Sequence, residues 1–295
     1  MANRDRFESS RQQIEDFFNQ ATKRVYKQSE LQKVLLEEGK EWSLGSNPSP
    51  HTFIDFLIEE NLMIKIRLPF PHRRETRYCW GEPSEYALAL SLRENSYLTH
   101  QTAAYLHGLV DGPLNNLYVN FEQSKRLSKG ELTQEAIDRA FKNQARITRN
   151  RAKWNDLTIW LLNGMYTNQY GVIEIVGKRY EKIRATNLIR TLIDIAVRPF
   201  YAGGVAEVME AYRRATGKVA VEEISTALKE MGHIYPYHQA VGFYLESARG
   251  FDNQQLETLR NIPMRFDFYL AHHMGEMEYS KEWRLYYPRG LIEGA

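Results

Sequence analysis

The chain has 295 residues and a formal net charge of +2, which is too small to indicate a nucleic-acid partner by itself. Apolar residues make up 43% and charged residues 26%, close to ordinary globular usage, and no apolar run reaches the roughly 18 residues of a membrane span. Cys79 is the single cysteine and the first residues lack the apolar core of a signal peptide, so we expect a cytoplasmic protein with no internal disulfide and no membrane partner.

The first third of the chain predicts three helices followed by a hairpin. Helical patterns run from Glu8 to Ala21 and from Glu30 to Glu38, and a third amphipathic helix follows Pro48. Leu62 to Leu68 and Arg77 to Trp80 then predict two strands around an Arg-rich tip. This order is typical of a winged helix-turn-helix, a module that mostly binds duplex DNA.

The predicted DNA contacts come from two segments of this module. Near the start of the third helix, where recognition helices meet bases, short polar side chains occur at Asn47, Ser49, His51 and Thr52. The hairpin carries cations that suit phosphates or the minor groove, namely Lys65, Arg67, Arg73, Arg74 and Arg77.

The same helix also carries a feature that opposes strong DNA binding. Its outer side continues with Asp55 and Glu59, and the helix contains no Arg or Lys. We therefore expect the hairpin and the helix N-termini to hold most of the phosphates. A second hypothesis stays open, in which the winged helix packs against protein and never meets DNA.

After Gly81-Glu-Pro the chain changes character, so we predict a winged helix over residues 1–82 and a larger domain over 83–295. The fold class is α+β, with the larger domain built from helices packed on a small sheet. Strands are predicted at Leu117 to Phe121, Thr158 to Leu162, Val172 to Val176, Tyr180 to Arg184, Met264 to Leu270 and Trp283 to Tyr287. Helices are predicted at Ser84 to Leu92, Gly204 to Ala215, Val221 to Met231, Tyr237 to Ala248 and Asn253 to Arg260, with Thr99 and Thr186 as helix caps.

Several polar residues of the larger domain are candidates for chemistry. Arg190 and Asp194 lie four residues apart on an apolar helix, which favours a structural ion pair. Asp267 and Glu282 leave open a Mg²⁺-dependent nuclease, although Glu278 precedes Lys281 by three residues instead of the two that such sites use. A basic stretch from Lys125 to Lys153 fits either a solvated face or a binding surface. We expect no metal, cofactor or catalysis.

Five segments together resemble a known family, the AbiE-type antitoxins. The first two are Tyr97-Leu-Thr-His-Gln-Thr-Ala-Ala-Tyr-Leu-His-Gly-Leu and Ala185-Thr-Asn-Leu-Ile-Arg-Thr-Leu-Ile-Asp, and the others are 202–208, 237–246 and 282–288. The resemblance implies an N-terminal winged helix that represses its own operon and a C-terminal domain that antagonises a co-encoded nucleotidyltransferase-type toxin. We expect duplex DNA with inverted repeats as the partner, and a homodimer on that DNA stays open.

Overall fold

The structure is a computed structural model that describes residues 2–45, 48–125, 130–177 and 181–292. These residues form a mixed α+β fold. The α-helices are α1 Ala2–Ser9, α2 Arg11–Gln20, α3 Gln28–Glu38, α4 Pro50–Glu59, α5 Glu85–Leu90, α6 His100–Leu106, α7 Gln134–Lys142, α8 Leu188–Val197, α9 Val205–Arg214, α10 Val221–Met231, α11 Tyr237–Ser247 and α12 Asn253–Arg260. A 3-10 helix spans Pro199–Ala202.

The strands form three sheets. They are β1 Val25–Tyr26, β2 Met63–Pro69, β3 Arg74–Trp80, β4 Tyr97–Leu98, β5 Asn116–Glu122, β6 Arg151–Trp154, β7 Leu157–Gly164, β8 Val172–Val176, β9 Lys182–Thr186, β10 Phe268–Tyr269, β11 Met277–Ser280 and β12 Leu285–Pro288. The first sheet has the order β1-β3-β2, the largest has the order β6-β7-β5-β4-β9-β8, and the third has the order β10-β12-β11.

The N-terminal sheet is antiparallel and covered on both faces. Its register pairs Met63 with Trp80 and Pro69 with Arg74 along the hairpin, while the short β1 pairs with β3 through Val25 and Cys79. One face of this sheet packs against helices α1 to α4. The other face packs against the six-stranded sheet.

The six-stranded sheet is mixed, with β5 parallel to β7 and β4 parallel to β9. One of its faces, which includes Leu117 and Ile159, shares a hydrophobic cluster with α5 and with Leu68, Phe70 and Cys79. The underside of the N-terminal hairpin is therefore buried against the larger sheet. This cluster crosses the predicted boundary at residue 82.

Tyr118, Trp160 and Leu162 cover the opposite face of the six-stranded sheet and pack on Tyr201 of the 3-10 helix. Helices α8 to α12 build the largest core, in which Trp283 is fully buried. None of the described helices combines the length and the apolar character that a membrane crossing needs.

Most of the predicted elements are present, and the exceptions have local causes. The predicted first helix is interrupted at Ser10, whose hydroxyl donates to the Trp42 carbonyl. Thr186 is not a helix cap, because it ends β9 and Asn187 takes the cap position, accepting from the Arg190 backbone N–H at 2.8 Å. The strand predicted from Met264 is reduced to Phe268–Tyr269. The elements β1, β4, α7, β6, β11, the 3-10 helix and most of α1 were not predicted.

Candidate nucleic-acid interface and a polar cavity

Helix α4 begins with a complete set of N-terminal signals. Ser49 takes the N-cap position, its Oγ accepts from the Thr52 backbone N–H at 3.4 Å, and Pro50 takes the first helical position. Phe53 and Leu57 are fully buried, so the opposite side of the helix faces solvent. The Ser49 hydroxyl is thus used in capping. Asn47 lies outside the described residues.

The exposed side of α4 carries a contact between a histidine and a carboxylate. His51 Nδ1 lies 2.7 Å from Asp55 Oδ2, and the His51 side chain is 84% exposed. Further along, Arg4 contacts Glu59, and Arg11 Nη1 lies 2.9 Å from Glu60 Oε2. The carboxylates at the end of α4 are therefore compensated by cations of α1 and α2, a compensation that the sequence pattern did not reveal.

Three of the predicted hairpin cations lie on the exposed surface. The register pairs Lys65 with Tyr78 and Arg67 with Thr76, so the side chains of Lys65 and Arg67 share a face of the hairpin. The Lys65 Nζ lies 5.8 Å from the centroid of the Tyr78 ring. Arg74 is exposed at the start of β3. Within the described part of the chain, none of these three cations forms an ion pair.

This face of the hairpin adjoins α4. Burial raises the pKa of Tyr78, the charge of Asp55 raises it further, and the charge of Arg67 lowers it. Asp55 and Arg67 are therefore both close enough to the Tyr78 hydroxyl to change its pKa. The exposed side of α4 and the hairpin cations form one continuous surface, which we call the wing surface, comprising His51, Thr52, Asp55, Lys65, Arg67 and Arg74.

The other face of the hairpin holds a buried charge cluster. Glu75 accepts from Arg73 Nε at 2.6 Å, from Arg93 Nη1 at 3.0 Å and from Arg77 Nη1 at 3.1 Å. Arg77 is only 2% exposed and also donates to Ser91. Contrary to the expectation, Arg77 is not available to contact DNA in this structure, because its guanidinium is buried and donates four hydrogen bonds within the protein. Arg73 is 64% exposed at its side chain but is engaged with the same carboxylate.

Glu75 is ionised in this cluster. Desolvation is the largest single influence and raises the pKa of Glu75, but the hydrogen bonds from Arg93, Arg77 and Arg73 together with the charge of Arg77 outweigh it, so the pKa falls below its usual value. One carboxylate thus faces three guanidinium groups, which leaves a local excess of positive charge.

This excess borders an open groove of about 940 Å³ between the N-terminus of α3 and the edge of β3. The groove exists because β1 spans two residues and leaves the first half of β3 unpaired on that side. Its cationic lining comprises Lys27, Arg73, Arg74, Arg77 and Arg93, against Glu75 and Glu94. The N-terminus of a helix adds a partial positive charge.

The described cations of the second basic stretch lie on several different elements. Lys142 pairs with Asp138 on α7 at 3.7 Å, and Arg151 stacks on the Trp160 ring at 4.5 Å in the sheet. Arg146 lines the cavity described next. Arg126 and Lys129 lie outside the described residues.

A cavity of about 410 Å³ lies between the six-stranded sheet and the helices. Its floor is the buried ion pair of α8, in which Arg190 Nε lies 2.8 Å from Asp194 Oδ1. Nη1 of Arg190 donates to Thr167 Oγ1 at 2.9 Å and to the Tyr170 carbonyl at 2.8 Å. The ion pair predicted for these two residues is confirmed. Burial is the largest single influence and raises the pKa of Asp194, but the charge of Arg190, the electrostatic influence of His100 and the hydrogen bonds from Arg190 and Thr99 together outweigh it, so the pKa is lowered.

Thr99 and His100 complete the floor. Thr99 takes the predicted N-cap position of α6, but its Oγ1 donates to Asp194 Oδ2 at 2.8 Å instead of accepting a capping hydrogen bond. His100 Nδ1 lies 3.1 Å from the same hydroxyl. Because the hydroxyl proton is already given to the carboxylate, the network assigns a proton to His100 Nδ1. Burial lowers the pKa of His100 to about 4, so the ring is neutral and Nε2 is a hydrogen-bond acceptor.

The residues of the nuclease hypothesis lie in separate ion pairs. Asp267 Oδ1 accepts from Tyr279 at 2.8 Å and from Arg284 at 2.9 Å, whereas Glu282 pairs with Arg260 at 2.6 Å. Across the described ranges, no group of three or more His, Cys, Asp or Glu side chains is arranged to hold a metal ion.

The similarity of this chain to known proteins supports its fold and gives no function. No model of a protein family matches the sequence, and no curated protein matches it. The crystal structure of the RV2827C protein from Mycobacterium tuberculosis is similar, with a TM-score of 0.60 over 97% of this chain and 94% of that chain. Sequence identity is 14%, so the similarity shows a shared fold alone.

Proposed function

We propose that residues 1–82 form a winged helix-turn-helix that binds duplex DNA, and that the chain is a transcriptional autorepressor and antitoxin of the AbiE type. The element order supports the first part of this proposal. Two helices, α3 and α4, are joined by a turn and followed by a hairpin whose strand β3 lies between β1 and β2. Helix α4 occupies the position of a recognition helix.

The observation that carries the proposal is the wing surface. Lys65, Arg67 and Arg74 are exposed and unpaired within the described residues, and they lie beside the exposed side of α4. These three cations can contact phosphates without breaking an ion pair, whereas Arg77 would first have to break its ion pair with Glu75. The proposed contact set is therefore Lys65, Arg67 and Arg74 for phosphates, with His51 and Thr52 near the bases.

The acidic groups of α4 set a limit on affinity. Glu59 and Glu60 are compensated by Arg4 and Arg11, but Asp55 remains on the wing surface, with His51 as its partner. We expect moderate affinity that depends on the wing, and therefore falls with added salt.

The test is a salt titration of DNA binding. Fluorescence anisotropy measures the affinity of the full chain for the intergenic DNA upstream of its gene, with and without Lys65→Ala/Arg67→Ala/Arg74→Ala. Each lost phosphate contact lowers the slope of log K against log salt by about 0.9, so the triple variant should lose about 2 to 3 slope units. The matched control, Lys218→Ala/Lys229→Ala/Lys281→Ala, removes three exposed cations elsewhere. An unchanged slope in the wing variant contradicts the proposal.

The antitoxin part rests on the family resemblance. Residues 83–295 are proposed to neutralise a nucleotidyltransferase-type toxin encoded next to this chain. Co-expression with that toxin tests it by growth rescue, and the wing triple variant should still rescue growth because its changes lie outside this region. Failure of the unaltered chain to rescue growth contradicts this part without touching the DNA-binding part.

A further inference from the structure

We propose that the cavity between the six-stranded sheet and the helices is a binding site for a mononucleotide, independent of the wing surface. The site has three parts that match the three parts of such a ligand. Its floor accepts a hydrogen bond, its walls are aromatic and its rim is cationic.

The floor offers a hydrogen-bond acceptor to a ligand. His100 is 7% exposed, lines the cavity and uses Nδ1 on Thr99, while Nε2 has no hydrogen-bond partner among the described residues. This nitrogen is therefore free to accept a hydrogen bond from a bound ligand. His100 also has φ +51°, a left-handed conformation that is uncommon for a residue other than glycine. A sugar hydroxyl or an exocyclic amine supplies the missing donor.

The walls contain three tyrosines, of which Tyr235 is half-buried and Tyr201 and Tyr237 are buried. Tyr201, Tyr235 and Tyr237 line the cavity, and Tyr201 contacts Tyr118 with ring centroids 5.2 Å apart. Aromatic side chains bind nucleobases by stacking, with little dependence on which base is present. The volume of about 410 Å³ lies in the range of small-molecule sites.

The rim favours an anion. Asp194 neutralises Arg190 at the floor, whereas Arg146 and Arg198 are exposed at the cavity and form no ion pair within the described residues. Arg198 is close enough to His100 for its charge to contribute to lowering the pKa of that ring. The net excess of two guanidinium groups matches a phosphate, which guanidinium binds in bidentate fashion.

The experiment is calorimetric titration of the full chain with AMP, GMP, CMP and UMP, and in parallel with the four nucleosides and with inorganic phosphate. The expected result is binding of at least one mononucleotide, at least about tenfold tighter than its nucleoside and than phosphate. Absence of binding for all four mononucleotides at millimolar concentration overturns the proposal. Binding of inorganic phosphate alone that is as tight as binding of the mononucleotides also overturns it.

Variants locate the site. Arg146→Gln/Arg198→Gln should weaken mononucleotide binding at least about tenfold, while the matched control Lys218→Gln/Lys229→Gln should not change it. His100→Phe keeps a ring and removes the acceptor, so it should weaken binding as well. If His100→Phe fails to fold, the rim variant still decides, because its residues are exposed. The rim variant should bind promoter DNA as the unaltered chain does, which separates this proposal from the proposed function.

Discussion

Arg77 donates a hydrogen bond from Nη1 to Glu75 Oε2 at 3.1 Å, two residues away on the same strand. Residues i and i+2 of a strand share a face, so both side chains lie on the underside of the hairpin. Arg93, from the segment after α5, reaches the same carboxylate. Glu75 thus ties the hairpin to the following part of the chain.

Glu75→Gln should destabilise the protein at pH 7 by about 3 kcal/mol, because it leaves Arg77 buried without a counter-charge. The pKa of Glu75 is lowered on folding, so its ionisation stabilises the protein above the ordinary value near 4.5, and this contribution is lost as pH falls through the folded-state pKa. Urea unfolding between pH 3 and about 7 should show a shallower acid loss in the variant. Glu94→Gln, at an 88% exposed side chain, is the control.

Asp194→Asn should cost about 3 to 5 kcal/mol, because Arg190 is then a buried charge without its partner. The pKa of Asp194 is also lowered, so the stability that it provides is present at neutral pH and lost toward acid pH. The control has the same spacing at the surface: Arg214 Nε lies 3.0 Å from Glu210 Oε1. Glu210→Gln should change the unfolding free energy by less than about 0.5 kcal/mol. Equal effects of the two variants would contradict this prediction.

Gly242→Ala should destabilise the protein by about 1 to 3 kcal/mol, although alanine favours helices. A Cβ at Gly242 in α11 would overlap the ring of Trp283, which is fully buried. Thermal denaturation measures the effect. Gly275→Ala serves as the control, since a Cβ there meets no atom within 4 Å. A melting temperature of Gly242→Ala at or above that of the unaltered chain would contradict the prediction, because it would mean that the Trp283 ring can move to make room for the added methyl group.

Asp55→Asn should strengthen DNA binding severalfold for every sequence, because it removes a negative charge beside Arg67 on the wing surface. Glu37→Gln, which removes a carboxylate paired with Lys33 on α3, is the control. Anisotropy at low salt gives the largest difference, since screening weakens exposed charges. Weaker binding of Asp55→Asn would mean that Asp55 positions His51 for contact instead of repelling DNA.

His51→Ala and Thr52→Ala should relax sequence preference more than they weaken non-specific binding. Both lie in the first turn of α4, where a recognition helix reads base edges. The measurement is the ratio of affinities for promoter DNA and scrambled DNA at one salt concentration. If both affinities fall by the same factor, base recognition lies elsewhere on the chain.

The periodicity of the sequence located α4 and the hairpin, because strong apolar spacing and a Ser-Pro start leave few alternatives. It failed for Arg77, since charge alone does not show which face of a hairpin another part of the chain covers. A signal was nevertheless present, because Arg77 lies two residues before Cys79 and the two side chains therefore share a face of the strand. Cys79 is fully buried on that face.

The cavity could not be predicted, because its floor joins residues that are distant along the chain. Thr99 and Asp194 are 95 positions apart and meet only when α8 packs beside α6. The one usable sign was a charged pair on the otherwise apolar helix α8. Helix α7 was missed because its basic residues resemble any solvated face, while Ile137 and Phe141 provide its buried side.

The hydrophobic cluster that joins the hairpin to the six-stranded sheet has a mechanical consequence. A fragment that ends at residue 82 would expose Leu68, Phe70 and Cys79 to solvent. We therefore expect that this fragment does not fold stably on its own. Unfolding of the two regions is therefore coupled. A partner that loosens the six-stranded sheet would therefore also disturb the hairpin and the helices α1 to α4 that pack on it.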